Sequence, residues 1–172
     1  MAATIRHLNR LSDVLGLAQL GHAHWLFGNI YEAVVKIPDR LAAEPRAAAP
    51  AGSSPRSSLL APGSPLRYYA PAAPITVATT AAAVSKGWEI DDARRWLAVT
   101  AGCSIAGLGV TGYLIRAVNL AVMFATTPPP PEERDRLIRT WYRLNLVRIA
   151  AAGGALFAAN RASQVIARQG AR

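Results

Sequence analysis

Polar and ionisable residues stand inside segments of the chain that are otherwise apolar, and their spacing places them on common helical faces. Residues three or four apart share a face of an α-helix. One face combines an imidazole, an amide and a carboxylate, and two others each carry an asparagine one turn from an arginine. The three sets are His22, Asn29 and Glu32; Arg116 and Asn119; and Trp141, Asn145 and Arg148. The pattern predicts one polar pocket built from three helices.

The charges of these residues predict the kind of ligand that the pocket would take. Ionisable side chains inside a membrane protein face its interior and pair with one another. We expect Glu32 to pair with Arg116 or Arg148. The remaining arginine would favour an anionic ligand such as an enolate, a phenolate, a carboxylate or a lipid phosphate. The alternative is a network that only fixes helix register, with arginines that reach toward water at the interface.

Histidine and two residues near the second apolar segment complete the set of candidates. His22 is either a general base or a hydrogen-bonding neighbour of the pocket. Arg67 and Tyr69 stand just before the second segment, at the same end of the bundle if the number of spans is even. We expect no metal, because His22 and His24 point about 200° apart on a helix and no Cys or Asp joins them.

Four segments must position these side chains. A hydrocarbon core requires about 20 residues of helix, and the four segments reach or approach that length at 14–35, 71–88, 96–124 and 144–159. The third is the most apolar, because 97–115 carries no charge and its glycines permit close helix contact. The sequence therefore predicts an all-α fold, a four-transmembrane-helix bundle that forms a single membrane domain over residues 1–172.

The connections between the segments differ in character. The first, at about 39–63, is rich in Ala, Pro and Ser, and we expect it to be flexible. The third contains four prolines at 128–131, followed by Glu132 and Glu133, which suit a helix N-terminus. We therefore expect the fourth helix to begin before it enters the membrane. The distribution of Arg and Lys does not decide the orientation.

Composition argues against a soluble protein. A hydrophobic content of 52% with 17% charged residues is apolar for a soluble chain of 172 residues. A soluble bundle of Ala-rich helices is the alternative, but the segments lack the charged outer face that it needs. The net charge of +9 comes from scattered arginines, which favours membrane lipids over nucleic acid as a partner. Cys103 is the only cysteine, so no intrachain disulfide can form.

Four stretches of the chain are distinctive together: HWLFGNIYE at 24–32, SPLRYY at 64–69, RAVN at 116–119 and WYRLNLVR at 141–148. They resemble the anthrone-oxygenase-like family of small four-helix integral membrane proteins, in its largely uncharacterised bacterial branch. The resemblance implies a protein of the bacterial cytoplasmic membrane. It also carries five positions across as pocket residues: Arg116, Asn119, Trp141, Asn145 and Arg148.

The resemblance further implies a cofactor-independent monooxygenase, because characterised relatives insert molecular oxygen into anthrones without a metal or a flavin. The substrate would be a hydrophobic carbonyl compound of the anthrone kind. His22 or Glu32 would remove the proton next to its carbonyl group, and arginine and asparagine would hold the resulting enolate. The electron-rich carbanion would then reduce oxygen directly.

A second hypothesis belongs to a different class of protein. The chain would be a non-catalytic membrane subunit or a lipid-binding bundle, alone or in an oligomer or a membrane complex, and its polar network would be structural. The enzyme hypothesis predicts a cavity among Asn29, Glu32, Arg116, Asn145 and Arg148 that opens to one interface. The subunit hypothesis predicts that the Glu–Arg pairs close on themselves.

Overall fold

The computed structural model describes residues 2–43, 65–123, 125, 127 and 129–170, and every regular element in these ranges is a helix. The helices are α1 (Ala2–Val34), α2 (Ile37–Ala43), α3 (Pro65–Tyr69), α4 (Ala72–Gly87), α5 (Asp91–Leu114) and α6 (Pro131–Gly170). A π-helical segment, Ile115–Met123, continues α5. The predicted all-α fold is confirmed.

Helix boundaries follow from local chemistry. Pro131 opens α6, where its missing N–H costs no hydrogen bond, and Glu132 and Glu133 occupy the first turn. The fourth long helix therefore begins ahead of its predicted span, as expected. Helix α1 ends at Val34, and two residues later Lys36 adopts a left-handed backbone with φ of 54°. This conformation turns the chain into α2.

The four long helices form a bundle in chain order. The most extensive contacts join α5 to α6 and α1 to α6, followed by those of α1 with α4 and of α4 with α5. These contacts make a closed ring in which each helix touches the next. Helix α2 packs on the π-helical segment, and α3 contacts α4. The short elements therefore gather near the end of the bundle where α1 and α5 finish.

The predicted flexible connection at about 39–63 is wrong at its beginning. Pro38 and Asp39 stand in the first turn of α2, where both residue types favour a helix. Leu41 and Ala42 then pack against the apolar cluster around Leu114. This packing supplies the reason for a helix that composition did not reveal. The remainder of the predicted loop lies outside the described residues.

One helical stretch in the described part of the chain, Asp91–Val122, is long and apolar enough to cross a membrane. Its most apolar window has a mean hydropathy of 1.5, and only 17% of that window is buried. A core helix of a soluble protein would be mostly buried, so the apolar side chains here face outward. The other three predicted spans coincide with helices, and their crossing of a membrane stays a prediction.

The interior has two apolar clusters with polar residues between them. The first cluster contains Leu11, Leu15, Ala83, Ala93, Leu97, Ala159, Ala162 and Ile166. The second contains Leu114, Val118, Val122, Ile138 and Trp141. Five buried polar or charged side chains lie at intermediate positions of α1 and α6: His22, Asn29, Glu32, Asn145 and Arg148. We call these five residues the polar layer.

Glycines of the bundle differ in what surrounds them. A Cβ atom at Gly107 would meet Ala151 at 3.5 Å, so this glycine does allow close packing of α5 on α6. Gly102 and Gly109, with Gly112, have open space where a side chain would be. The expectation that this glycine series serves helix contact is therefore right for only one of its members within the described chain.

We predict that Gly21→Ala destabilises the bundle. A Cβ atom there would overlap the Thr76 side chain of α4, and threonine cannot move away easily because its χ1 rotamers are restricted. Gly16 in the same helix has no atom within 4 Å of the equivalent position. Gly16→Ala should leave the thermal unfolding midpoint unchanged or raise it, because alanine favours a helix by about 1 kcal/mol over glycine. Equal midpoints for both variants would contradict the close α1–α4 contact.

Candidate functional site

A buried ion pair joins the first and last helices of the bundle. Arg148 Nη1 lies 3.4 Å from Glu32 Oε2, and the two side chains are only 9% and 8% exposed. The same nitrogen donates to Asn145 Oδ1 at 3.2 Å. A buried charge is tolerated when it is both paired and hydrogen-bonded. The predicted pairing of Glu32 with one of two arginines is therefore found with Arg148.

Asparagine side chains extend this pair into a network across three helices. Asn145 Nδ2 donates to the backbone carbonyl of Asn29 at 2.9 Å, which fixes the height of α6 against α1. The Tyr69 hydroxyl donates to Asn29 Oδ1 at 3.4 Å. Helix α3 thereby reaches the polar layer through the side chain of Tyr69. The network orients both the amide and the guanidinium groups of the site.

Tyr69 remains a hydrogen-bond donor over the whole physiological range. Its burial, and then the nearby negative charge of Glu32, raise the pKa of Tyr69 well above its ordinary value. The guanidinium carbon of Arg148 lies 6.0 Å from the centre of the Tyr69 ring. The ring therefore shields the ion pair on one side while its hydroxyl group contacts Asn29.

His22 lies deeper in the bundle and is 1% exposed. Its Nε2 atom is 3.1 Å from Thr80 Oγ1 of α4. One of the two groups donates and the other accepts, according to the tautomer of the ring. The hydrogen-bonding role that the sequence left open for His22 is therefore present. Its alternative role as a general base stays a prediction.

A small cavity lies beside the polar layer, between α1, α5 and α6. Its volume is about 10 Å³, which is close to the least space that a single water molecule needs. Five of its lining residues are small and apolar: Cys103, Gly107, Ala151, Ala152 and Ala155. The polar lining residues are His22, Trp25, Asn29, Ser104, Thr111 and Arg148. A three-ring carbonyl compound does not fit into a cavity of this size.

Two residues that line the cavity carry buried N–H groups without a partner. They are Arg148, at Nε, and Trp25, at Nε1, and neither donor has an acceptor among the described residues. Leaving a buried donor unpaired costs about 1–3 kcal/mol. Native structures contain few such groups, and each calls for a physical explanation. The indole N–H groups of Trp96 and Trp141 are also buried without a partner among the described residues, but neither tryptophan lines the cavity.

The structure does not bring every predicted site residue into the network. Arg116 and Arg67 are exposed, and neither forms an ion pair with a described residue. Asn119 stands on the π-helical segment, and its buried Oδ1 atom has no partner in the described ranges. Trp141 packs in the apolar cluster of Leu114. The expected convergence of three Asn–charge pairs is therefore found for two of them.

Exposure of Arg116 changes the electrostatic prediction. The sequence suggested one carboxylate against two arginines, with positive charge left over. Inside the bundle, Glu32 and Arg148 balance one another, while Arg116 keeps its charge at the surface. The physical reason is that an arginine near the end of an apolar segment can reach water. The resting site is thus electrically neutral.

Several polar residues of the site escaped the sequence prediction. Thr80 pairs with His22, and Ser104 and Thr111 line the cavity. A usable signal was present, because Thr100, Ser104, Gly107 and Thr111 follow spacings of four, three and four on α5. Their hydroxyl groups donate to backbone carbonyls one turn earlier. Serine and threonine residues that bond to their own helix backbone do not stand out in a sequence as residues of a site.

A larger groove opens on the outside of the same α5–α6 contact. It has a volume of about 500 Å³, within the range of small-molecule sites. It is lined by Gly109, Val110, Tyr113, Thr140, Arg143 and Leu144. Leu144 stands one helical turn before Arg148, and Val110 is adjacent to Thr111 of the cavity. Groove and cavity therefore occupy successive turns along the same pair of helices.

The family model named anthrone oxygenase matches residues 66–158, which is more than half of the chain. The chain belongs to the anthrone oxygenase family. Comparison with curated proteins and with solved structures found no match. The resemblance that the sequence motifs indicated is thus confirmed at the level of the family.

Membership in the anthrone oxygenase family rests on α3 to α6 and not on α1. The matched range includes Tyr69, Asn145 and Arg148, together with the groove, whereas Glu32 and His22 lie before it. The ion pair therefore joins a residue inside the family match to one outside it. Within the described ranges, no three His, Cys, Asp or Glu side chains come close enough to hold a metal ion.

We predict that the two halves of the ion pair differ in their contribution to stability. Glu32→Leu leaves a guanidinium group that cannot lose its proton, and removal of one buried partner costs about 3–5 kcal/mol. Arg148→Met should cost less, because the remaining carboxyl group can take up a proton. The double variant should recover most of the loss in the free energy of unfolding. Additive losses in this cycle would show that the two side chains do not interact.

Proposed function

We propose that the protein is a membrane-embedded, cofactor-independent monooxygenase that acts on a hydrophobic carbonyl compound of the anthrone kind. The observation that carries the proposal is the neutral, buried Glu32–Arg148 pair beside a cavity with unpartnered donors. Membership in the anthrone oxygenase family supports the type of reaction. The bacterial cytoplasmic membrane as its location stays a prediction, which rests on the sequence resemblance.

Each of the four long helices contains a stretch without charged residues, and together these stretches form a charge-free band that supports four membrane spans. The stretches 14–31, 72–85, 96–115 and 149–160 contain no Asp, Glu, Lys or Arg. The longest of them covers about 30 Å of helix, which equals the thickness of a hydrocarbon core. Charged residues cluster beyond both ends of these stretches: Arg10, Asp13, Lys86, Arg94 and Arg161 at one end, and Lys36, Arg40, Arg67, Arg116 and Arg143 at the other.

Large apolar side chains cover the outside of this band. Leu20 and Phe27 of α1 are each at least 66% exposed, and Ile105 of α5 is 70% exposed. A soluble monomer rarely exposes so much apolar surface in one region. Lipid is the occupant that suits an apolar belt between two charged rims. Polar residues of α1 and α6 point inward and lower the mean hydropathy of these helices, although their outer faces are apolar.

The neutral ion pair can supply both a base and a counter-charge. Transfer of the substrate proton to Glu32 removes its negative charge and leaves the positive charge of Arg148 uncompensated. The enolate that forms in the same step carries the matching negative charge. Arg148, which Asn145 holds in place, would then stabilise the enolate. The total charge of the buried site never changes, so the step avoids a large electrostatic cost in an apolar medium.

The carbonyl compound would approach from the bilayer through the groove between α5 and α6. The groove has a volume suited to three fused rings, whereas the inner cavity does not. Val110 and Leu144 belong to its apolar lining, and Leu144 directly precedes Asn145 of the polar layer. Movement of the Val110 and Leu144 side chains would connect groove and cavity. A flat, membrane-soluble substrate could then place its carbonyl edge toward Arg148.

A non-catalytic membrane subunit or lipid-binding bundle is the second candidate. The observation in its favour is the direct Glu32–Arg148 contact, which closes the charges on one another. This candidate accounts for the pair and for the helix cross-links of Asn145. It gives no role to the unpartnered N–H groups of Trp25 and Arg148. Oxygen consumption by the purified protein separates the two candidates.

We predict that α1 crosses the membrane once, between Arg10 and Arg40. Single cysteines can be introduced at Arg10, Leu20 and Arg40 in a Cys103→Ala background. A membrane-impermeant maleimide should label Arg10→Cys and Arg40→Cys from opposite sides of sealed vesicles, and should leave Leu20→Cys unlabelled until detergent is added. Labelling of both ends from the same side would contradict the four-span topology.

We predict oxygen uptake by the purified protein in detergent when anthrone is supplied. Glu32→Gln keeps the size of the side chain and should lower the rate about 10²–10⁴-fold, the usual contribution of a general base. Gly109→Leu should also reduce the rate, because the new side chain fills the groove. Gly102→Leu is its matched control, since both glycines face open space on the same helix. Equal rates for the two glycine variants would exclude the groove as the route of entry.

A further inference from the structure

The small cavity beside the polar layer has a composition that points to a particular ligand. Its volume of about 10 Å³ admits one molecule with the dimensions of water or of a diatomic gas. Most of the accessible surface of its wall is apolar, and Ala151, Ala155, Gly107 and Cys103 contribute to it. Such a wall offers little to a strongly hydrated ion. It suits a small, neutral, weakly polar molecule.

Two of the polar residues that line the cavity carry a donor that is not used. Arg148 Nε and Trp25 Nε1 are both buried without an acceptor in the described chain. Ser104 and Thr111 already donate their hydroxyl protons to the carbonyl groups of Thr100 and Gly107. The two free N–H groups would therefore gain most from a ligand that acquires negative charge after it has bound.

We infer that this cavity is the binding site for dioxygen, and that Arg148 Nε–H and Trp25 Nε1–H hold the superoxide that forms there. The inference rests on the proposed function, since it assigns a site to the second substrate of that reaction. A neutral dioxygen molecule matches the apolar wall, and its reduced form matches the two donors. The same site thus binds the reduced form more tightly than the neutral one, which favours electron transfer.

The reaction balances with dioxygen as the only oxidant. The enolate gives one electron to dioxygen, which leaves a carbon radical and superoxide. Their combination forms a C–O bond and a peroxide anion, which takes back the proton held by Glu32. Loss of the remaining hydrogen from the same carbon, with cleavage of the O–O bond, gives a new carbonyl group and one water molecule. A CH₂ group and O₂ thus become C=O and H₂O.

Water is the competing occupant of the cavity, and a variant that fills the cavity should exclude whichever molecule is bound there. Gly107→Ala places a methyl group in the lining at an ordinary 3.5 Å contact with Ala151, so the fold should tolerate it. Gly102→Ala adds the same methyl group on the same helix in open space. The pair differs only in whether the new methyl group enters the cavity.

The first test measures dioxygen directly, without turnover. Dissolved dioxygen is paramagnetic and broadens the NMR signals of protons near which it resides. Indole N–H signals of the ¹⁵N-labelled protein in nanodiscs should broaden more at Trp25 than at Trp141, which is buried in the apolar cluster. Gly107→Ala should abolish this excess, and Gly102→Ala should retain it. An excess that persists in Gly107→Ala, or no excess at all, would overturn the inference.

The second test uses oxygen uptake with anthrone. Gly107→Ala and Trp25→Phe should each raise the KM for dioxygen about tenfold, a loss of one good contact, while the KM for anthrone stays near that of Gly102→Ala. Normal turnover with an unchanged KM for dioxygen in both variants would overturn the cavity assignment and leave the proposed function intact. Absence of uptake in the wild type, with Trp25 broadening present, would overturn the proposed function alone.

Discussion

Burial of Glu32 against Arg148 is the constraint on which the rest of the structure depends. Each charge is tolerated in the bundle only because the other is in reach, so α1 and α6 must meet at a fixed height. Asn145 sets this height through the backbone of Asn29, and Tyr69 brings α3 over the same point. The apolar clusters on either side of the polar layer then pack around an arrangement that polar contacts have fixed.

Long apolar segments in the sequence predicted the long helices. Periodicity predicted the polar faces of α1 and α6, because helical spacing determines which residues share a face. It could not decide between Arg148 and Arg116 as the partner of Glu32. That choice depends on how far each side chain stands from the end of the bundle, which is a tertiary property. Helix α2 escaped prediction for a similar reason, because its packing on the Leu114 cluster outweighs a loop-like composition. Trp141 was assigned to the pocket by its spacing, but its ring packs in that same cluster.

Most features of the site would be found both in a purely structural network and in an enzyme. The cavity and the two unpaired donors beside it need a separate explanation. Pairing of charges and cross-linking of helices serve both purposes. Among the buried donors without a described partner, those of Trp25 and Arg148 belong to residues of the cavity, whereas those of Trp96 and Trp141 do not. A site that keeps such groups ready before its ligand arrives avoids reorganisation during the reaction. The small size of the cavity limits this preparation to one small molecule.

The ion partners of the polar layer are 116 residues apart in the chain, and this separation has a consequence for biosynthesis. At ordinary rates of translation, on the order of ten seconds pass between the synthesis of Glu32 and that of Arg148. During this interval α1 carries a carboxylate that no later helix has yet neutralised. In the proposed topology, the first helix would therefore wait near the headgroup region. Its final depth would be set only when α6 leaves the ribosome, so complete insertion of α1 would depend on the synthesis of α6.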